Sequence, residues 1–519
     1  MSAAVVEGLR VAFGGVEVVH GVSFRVEPGE CVAIVGESGS GKSVLARALL
    51  GLSGGTVAGS VRVGDVDVVG ASGRTLRRLR GAAVGFVPQD ALLSLDPLRP
   101  IGREIGDVFR LHGRMPASER ARRAVEVLAS VGMPEPAERS RERSGELSGG
   151  LRQRALVAAA VAFDPPLLVA DEPTTALDVT VQARVLALFA EQKARGRALL
   201  LVSHDLAVVA GLADRILVLD GGRVVEEGTA SQVLRAPRSA QARALVAAVP
   251  AGRPRGSRLM DPSAPARPPA EPGEVVLRAS GLVTRFALPG GGSRTAVDDV
   301  GLELRCGETL GLVGESGSGK STVARLLLAL RRPDEGVVEL FGEPWSEASE
   351  RRRRPLRPRI GAVYQDSLSS FDPRWSVGRL LRDAGAASVP ALLASVGLGP
   401  ELERRSPRTL SGGQRQRVSI ARALATRPDM LICDEPVSAL DVSVQAQILD
   451  LLDDLQREHG LALLVISHDL GVIAHLSDRI AVMRAGRVVE SGPAASLLAA
   501  PRDEYTRALL AAAPRLPGG

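Results

Sequence analysis

One stretch of eight residues occurs twice and constrains everything else in this 519-residue chain. Gly36-Glu37-Ser38-Gly39-Ser40-Gly41-Lys42-Ser43 recurs unchanged as Gly314-Glu315-Ser316-Gly317-Ser318-Gly319-Lys320-Ser321. Each copy follows a short apolar run, Val32-Ala33-Ile34-Val35 or Leu310-Gly311-Leu312-Val313, and precedes a helix-like stretch. Strand, glycine loop and helix in that order form a P-loop, a cradle for phosphate. The glycines let backbone N–H groups curl around phosphate oxygens, and the helix N-terminus adds positive potential. The lysine offers a point charge to the outer phosphates, and the serine hydroxyl can ligate Mg2+. The chain holds three lysines, Lys42, Lys193 and Lys320. Arginine serves almost everywhere else, so both loops keep the compact ammonium where it matters.

The duplication extends beyond the loops. Leu147-Ser148-Gly149-Gly150 returns as Leu410-Ser411-Gly412-Gly413, Asp171-Glu172-Pro173 as Asp434-Glu435-Pro436, and Ser203-His204-Asp205 as Ser467-His468-Asp469. Several short motifs repeated in one order, at a domain-sized period, indicate gene duplication or fusion. Residues 1–250 and 274–519 are therefore expected to be two like domains. The Pro-rich stretch 251–273 reads as a semi-extended linker. Apolar runs such as Leu167-Leu168-Val169-Ala170 and Ala198-Leu199-Leu200-Leu201-Val202 predict a parallel sheet covered by helices. Helical patterns are predicted over 101–128 and 151–163. The halves differ between Gln89 and Ser148, where the first half has 13 residues more than the second has between Gln365 and Ser411. Variable helical segments on a fixed scaffold are plausible contacts for partners.

Composition removes several classes. A net charge of +6 is modest for this length and does not point to nucleic acid. The arginine run 351–354 has a counterpart in Arg77, Arg78 and Arg80, so it belongs to the repeat. Three isolated cysteines, Cys31, Cys306 and Cys433, lie in or beside apolar runs and read as small buried hydrophobes in a reducing compartment. No signal peptide is expected after Met1, and no apolar stretch reaches the length of a membrane span.

Two further motifs carry chemistry. Asp171-Glu172 and Asp434-Glu435 each place two carboxylates at the end of an apolar strand, the edge that faces the ligand crevice of an α/β sheet. The first carboxylate can hold Mg2+; the second can orient or deprotonate water. His204 and His468 end the next strand, where an imidazole can hydrogen-bond a γ-phosphate. Of six histidines only these two occupy matched positions.

Taken together, P-loop, Gln89 or Gln365, Leu-Ser-Gly-Gly, Asp-Glu-Pro, Ala-Leu-Asp (176–178 and 439–441) and Ser-His-Asp resemble ABC-type ATPases over almost all of both halves. The resemblance implies two P-loop NTPase domains in tandem, each with a RecA-like α/β sheet core, an antiparallel β subdomain and a helical subdomain. It implies ATP and Mg2+ as ligands and a head-to-tail pairing of the halves. Each ATP would lie between one P-loop and the opposite Ser148-Gly149-Gly150 or Ser411-Gly412-Gly413-Gln414 turn. It makes Glu172 and Glu435 the catalytic carboxylates and His204 and His468 the switch histidines. Ser43, Gln89 and Asp171, and likewise Ser321, Gln365 and Asp434, would surround the metal, and Phe13 and Phe286 would stack on adenine. One departure stands out: Leu151 occupies the place of Gln414 in the signature turn.

The stretches 89–97 and 365–373 and the domain ends at 236–250 and 500–514 resemble the ATPases of the dipeptide, oligopeptide and nickel importers, here fused in one chain. That resemblance implies two integral-membrane permease subunits, an extracytoplasmic solute-binding protein and a peripheral place at the cytoplasmic membrane face, with no nucleic acid. Many relatives carry a cysteine-rich iron–sulfur segment beyond this end; no cysteine follows Cys433, so that cofactor is not expected. The alternatives are a soluble twin-ATPase factor acting on ribosomes, which typically carries a long charged helical linker, and the ATPase of an exporter.

Overall fold

The computed structural model describes all residues except 1, 90–93, 114, 175–176, 266–271, 288–291, 439, 515 and 517–519. Asp90 to Leu93, Ala176, Ala439 and part of the Pro-rich stretch thus lie outside the described residues. The chain forms two compact units, one built from residues 1–177 and 181–246, the other from 178–180 and 247–513.

In the first unit, β1 (Ala4–Phe13), β2 (Val16–Val26), β4 (Thr56–Val63) and β5 (Val66–Asp67) form an antiparallel sheet in the order β2-β1-β4-β5. The valine-rich alternation of β1 and β2 buries one face. A second sheet has the order β10-β9-β3-β8-β7-β6, with β3 (Cys31–Val35), β6 (Val84–Val87), β7 (Leu167–Asp171), β8 (Ala198–Val202), β9 (Arg215–Asp220) and β10 (Arg223–Thr229). Neighbours run parallel except β10 on β9. Strands β3, β7 and β8 are buried along their whole length. Helices on both faces require such unbroken apolar runs. One core joins the two sheets through the P-loop helix Lys42–Ala48, whose Leu45 and the following Leu49 are fully buried.

The second unit repeats this plan. Its antiparallel sheet is β12-β11-β14-β15, from β11 (Val275–Ala287), β12 (Ser293–Arg305), β14 (Glu335–Leu340) and β15 (Glu343–Pro344). The larger sheet is β16-β17-β18-β13-β19-β20, from β13 (Thr309–Val313), β16 (Ile360–Val363), β17 (Met430–Asp434), β18 (Ala462–Ser467), β19 (Arg479–Arg484) and β20 (Arg487–Pro493). It is the same strand order as in the first unit. Fully buried Trp345 closes the end of the second P-loop helix, Lys320–Leu327, its indole N–H donating to Leu327 O at 2.9 Å.

Two local expectations change. The pattern over 101–128 is two helices, Ile101–His112 and Ala117–Ser130, because Pro116 lacks an N–H and caps the second helix instead of continuing the first. Their counterparts Val377–Asp383 and Val389–Ser395 have 7 residues each against 12 and 14, so the length difference between the halves is spread over both helices. Cys306 is exposed, unlike buried Cys31 and Cys433, because it sits in the turn after β12 rather than in a central strand.

The stretch after 250 does not run free. Arg255 pairs with Asp453 and, at 3.1 Å, with Asp478. Arg258 pairs with Asp454, and the carboxylate of Asp450 accepts the amide N–H groups of Leu259 and Met260, both at 3.0 Å. These acids, Asp478 apart, project from one helix, Val442–His459, of the second unit.

Candidate nucleotide sites

Each P-loop emerges from the middle of its large sheet. A Cβ at Gly36 would lie 2.2 Å from Leu219 O, and one at Gly314 would lie 2.1 Å from Met483 O, so neither position admits a side chain. Gly41 and Gly319 take φ of 96° and 105° and turn the chain into the helix. Lys42 Nζ donates to Gly36 O and Glu37 O at 2.8 and 2.7 Å; Lys320 Nζ donates to Gly314 O and Glu315 O at 2.7 and 2.8 Å. The amines are thereby held over their own loops. Burial pulls the Lys320 ammonium below its ordinary range, opposed by the Glu435 and Asp434 charges.

The carboxylate strands end beside these loops. Ser43 Oγ donates to Asp171 Oδ1 at 2.9 Å, and Ser321 Oγ to Asp434 Oδ1 at 3.3 Å. Burial pushes both Asp carboxyls up, against the serine hydrogen bonds. One turn beyond Ser43, Arg47 lies 3.7 Å from Asp171 Oδ2. That contact was missed in the sequence, although the i+4 spacing from Ser43 places Arg47 on the same helix face.

Glu172 and Glu435 form the centre of the next layer. Gln89 Nε2 donates to Glu172 Oε2 at 2.9 Å, and Gln365 Nε2 to Glu435 Oε2 at 2.8 Å. The imidazole Nδ1 of His204 lies 3.3 Å from Glu172 Oε2, and that of His468 lies 3.1 Å from Glu435 Oε1. Burial disfavours charge on both members of the second pair. Their mutual attraction outweighs it, lowering the Glu435 carboxyl and raising the His468 imidazole. Both glutamates have left-handed backbones, φ 49° and 51°. Lysine, serine, aspartate, glutamate, glutamine and histidine are thus brought together in each unit.

The donor set suits Mg2+. Serine hydroxyl, carboxylate and glutamine amide offer oxygen ligands, and this ion takes one or two carboxylates plus substrate phosphates. Asp171 Oδ2 is buried and has no hydrogen-bond partner among the described residues, an oxygen with capacity to spare. Among the described residues no group of three acidic, His or Cys side chains is placed to hold a metal ion.

The signature turns begin helices. Ser148 caps Gly149–Val161, its Oγ accepting from Leu151 N–H at 3.4 Å. Ser411 caps Gly412–Leu424, and there Gln414 Oε1 reaches back to accept Ser411 N–H at 3.1 Å, completing a reciprocal box. Leu151 has no acceptor for that role. Phe13 and Phe286 sit at the ends of β1 and β11, 38% and 37% exposed. The Arg331 guanidinium lies 4.1 Å from the Phe286 ring centroid, a neighbour not read from the sequence.

The ABC transporter family matches residues 19–175 and 297–438, which include both P-loops and both Asp-Glu pairs. The chain belongs to the ABC transporter family. It is an ATPase with two ABC domains in tandem, an energy-coupling component of transport. A second match, to the oligopeptide/dipeptide transporter C-terminal region, covers 489–519. Among curated proteins, the peptidoglycan transport ATP-binding protein YejF of Agrobacterium fabrum is 43% identical over 98% of this ABC ATPase and 96% of its own length. The oligopeptide transport ATP-binding protein OppD of Mycobacterium tuberculosis is 41% identical over 96% of both chains. The glutathione import ATP-binding protein GsiA of Salmonella typhimurium is 41% identical over 98% of this chain and 89% of its own. Among solved structures, an RNase-L inhibitor superposes with a TM-score of 0.64 over 94% of this chain and 90% of its own, at 23% identity, a likeness of fold alone. Among the described residues no helix is long and apolar enough to cross a membrane.

Proposed function

We propose that this ABC ATPase energises import of peptides or peptide-like solutes through two separate permease subunits fed by an extracytoplasmic binding protein. The observation that carries the reading is the oligopeptide/dipeptide C-terminal region following two complete ATPase sets in one chain. The full-length relatives named for oligopeptide, glutathione and peptidoglycan transport support the same solute class. The chain acts at the cytoplasmic face of the membrane, held there by its permeases. The unequal helices between Gln89 and Ser148 and between Gln365 and Ser411 suit two non-identical permeases.

Within each site, Lys42 or Lys320 neutralises the outer phosphates. Ser43, Asp171 and the Gln89 amide oxygen, or Ser321, Asp434 and that of Gln365, would hold Mg2+, which would supply screening of the phosphate charge. Glu172 or Glu435 orients a water and takes its proton as the water oxygen bonds to the γ-phosphorus. The bond from that phosphorus to the bridging oxygen breaks, and its electron pair leaves with ADP. His204 or His468 holds the glutamate and contacts the γ-phosphate. Ser148 and Ser411 act on the nucleotide held by the opposite half, and Phe13 and Phe286 stack on adenine.

The test is reconstitution with the co-purified permeases in lipid vesicles. ATP-dependent uptake of a labelled tripeptide, stimulated by the binding protein and lost with Lys320→Ala, is expected. Co-purification with ribosomes instead of membrane proteins would sink the importer reading.

A further inference from the structure

The C-terminal segment reaches the second P-loop. Helix Glu504–Ala512 is capped by Asp503, whose Oδ1 accepts Tyr505 N–H at 2.8 Å. Its start is anchored to β20 by Glu490, whose carboxylate accepts Arg502 and Asp503 N–H at 2.8 and 3.1 Å. So held, Tyr505 is buried, 7% exposed, with the Arg484 guanidinium 4.9 Å from its ring centroid. Its hydroxyl accepts the N–H of Glu315 at 3.1 Å. That N–H belongs to the same peptide plane as the Gly314 carbonyl, which accepts Lys320 Nζ at 2.7 Å. The plane is therefore gripped at both ends, by the phenol on one side and the P-loop ammonium on the other.

The first unit has the same anchor without the phenol. Glu226 accepts Arg238 and Ser239 N–H at 3.0 and 2.7 Å, as Glu490 does fifteen residues before Tyr505. Fifteen residues after Glu226 stands Gln241, whose buried Nε2 has no hydrogen-bond partner among the described residues. The Gly36 carbonyl still accepts Lys42 Nζ. The grip from the C-terminal side thus distinguishes the two loops.

We propose that Tyr505 is a positioning residue for Lys320: its hydroxyl fixes the Gly314–Glu315 peptide plane, and the C-terminal segment thereby raises the nucleotide affinity of the second site alone. The proposal rests on the nucleotide reading of the second P-loop. A peptide plane free to rotate presents its carbonyl to Lys320 for only part of the time, and the amine then samples positions away from the phosphates.

Tyr505→Phe removes one oxygen and keeps the ring, its packing and its contact with Arg484. It is tested in the full-length chain carrying Lys42→Ala, so that MgATP titration reports the second site. The expected result is a loss of about two- to tenfold in affinity, the weight of one hydrogen bond, with KM raised more than kcat is lowered. In the Lys320→Ala background, which leaves the first site, Tyr505→Phe is expected to change nothing. Unaltered affinity at the second site, or equal weakening of both sites, overturns the proposal. Retention of full ATP affinity by a Lys42→Ala, Lys320→Ala double variant would instead overturn the nucleotide reading on which it stands. Thermal melting of the Tyr505→Phe chain separates a positioning effect from unfolding: a lowered melting point with a proportional loss at both sites counts against the proposal.

Discussion

At the scale of single residues, hydrogen bonds gather on the glutamate that follows each strand-end aspartate. Glu435 is held by Gln365 at 2.8 Å on Oε2 and by His468 at 3.1 Å on Oε1, and Glu172 by Gln89 and His204, both on Oε2. Glu435→Gln keeps the shape and removes the proton acceptor proposed above. Phosphate release at that site is expected to slow about 10²-fold or more. Total turnover then falls by about half if the sites fire independently and almost completely if they are coupled, since each site runs the same chemistry. Steady-state phosphate release on Glu172→Gln, Glu435→Gln and the double variant distinguishes these; a single variant with unaltered turnover would rule out two hydrolytic sites. Lys, Ser, Asp, Glu and His were legible in the sequence because each ends or begins an apolar run at a fixed place in a duplicated order. Arg331 against Phe286 was not, because the pair meets across 45 positions with no local pattern. The exposure of Cys306 was hidden for a related reason: one step past a strand, the same residue type meets solvent.

At the scale of elements, the two signature helices differ in how they begin. Gln414 closes a capping box with Ser411 that Leu151 cannot close with Ser148. Leu151→Gln is expected to stabilise the first unit by about 0.5 kcal/mol, and Ser411→Ala to destabilise the second by about 1 kcal/mol, both read by denaturant titration. The same scale offers a pH test. Burial would raise the Glu490 carboxyl, but the Arg502 amide and its other donors lower it below its ordinary 4.5. The folded form therefore favours the carboxylate. Its stabilising effect is complete above pH 4.5 and is lost as pH falls through the lowered value. Melting points of the native chain and Glu490→Gln should differ at pH 6 to 7, and the gap should close as pH falls below 4.5. A gap that widens in acid would contradict the assignment. The strands were readable from their unbroken apolar runs, whereas the break at Pro116 was overlooked because helical periodicity continues on both sides of it, although a proline without an N–H is itself a break signal.

At the scale of the whole molecule, residues 255–260 of the segment joining the repeats are part of the second unit's packing. Pro, Arg and Gly content describes an extended chain well, yet it carries no sign of what that chain lies against. Arg255 finds Asp453 and Asp478 roughly two hundred positions away, a pairing that no window of sequence contains. Removing its guanidinium leaves two mostly buried carboxylates short of a donor. Arg255→Ala is expected to cost about 2 kcal/mol, seen as a lower melting transition for the second unit with the first unmoved. An unchanged second transition would show that the strap adds nothing to that unit's stability.

The left-handed backbone at Glu172 and Glu435, φ 49° and 51°, has one more consequence. A side chain there is tolerated at a cost of about 1 kcal/mol that glycine would not incur. Folding and turnover therefore pull in opposite directions at these two codons. A library of this gene screened only for soluble, heat-resistant protein should drift to glycine at 172 and 435 and lose hydrolysis as it gains robustness; a screen for growth on an imported nutrient should reverse that drift.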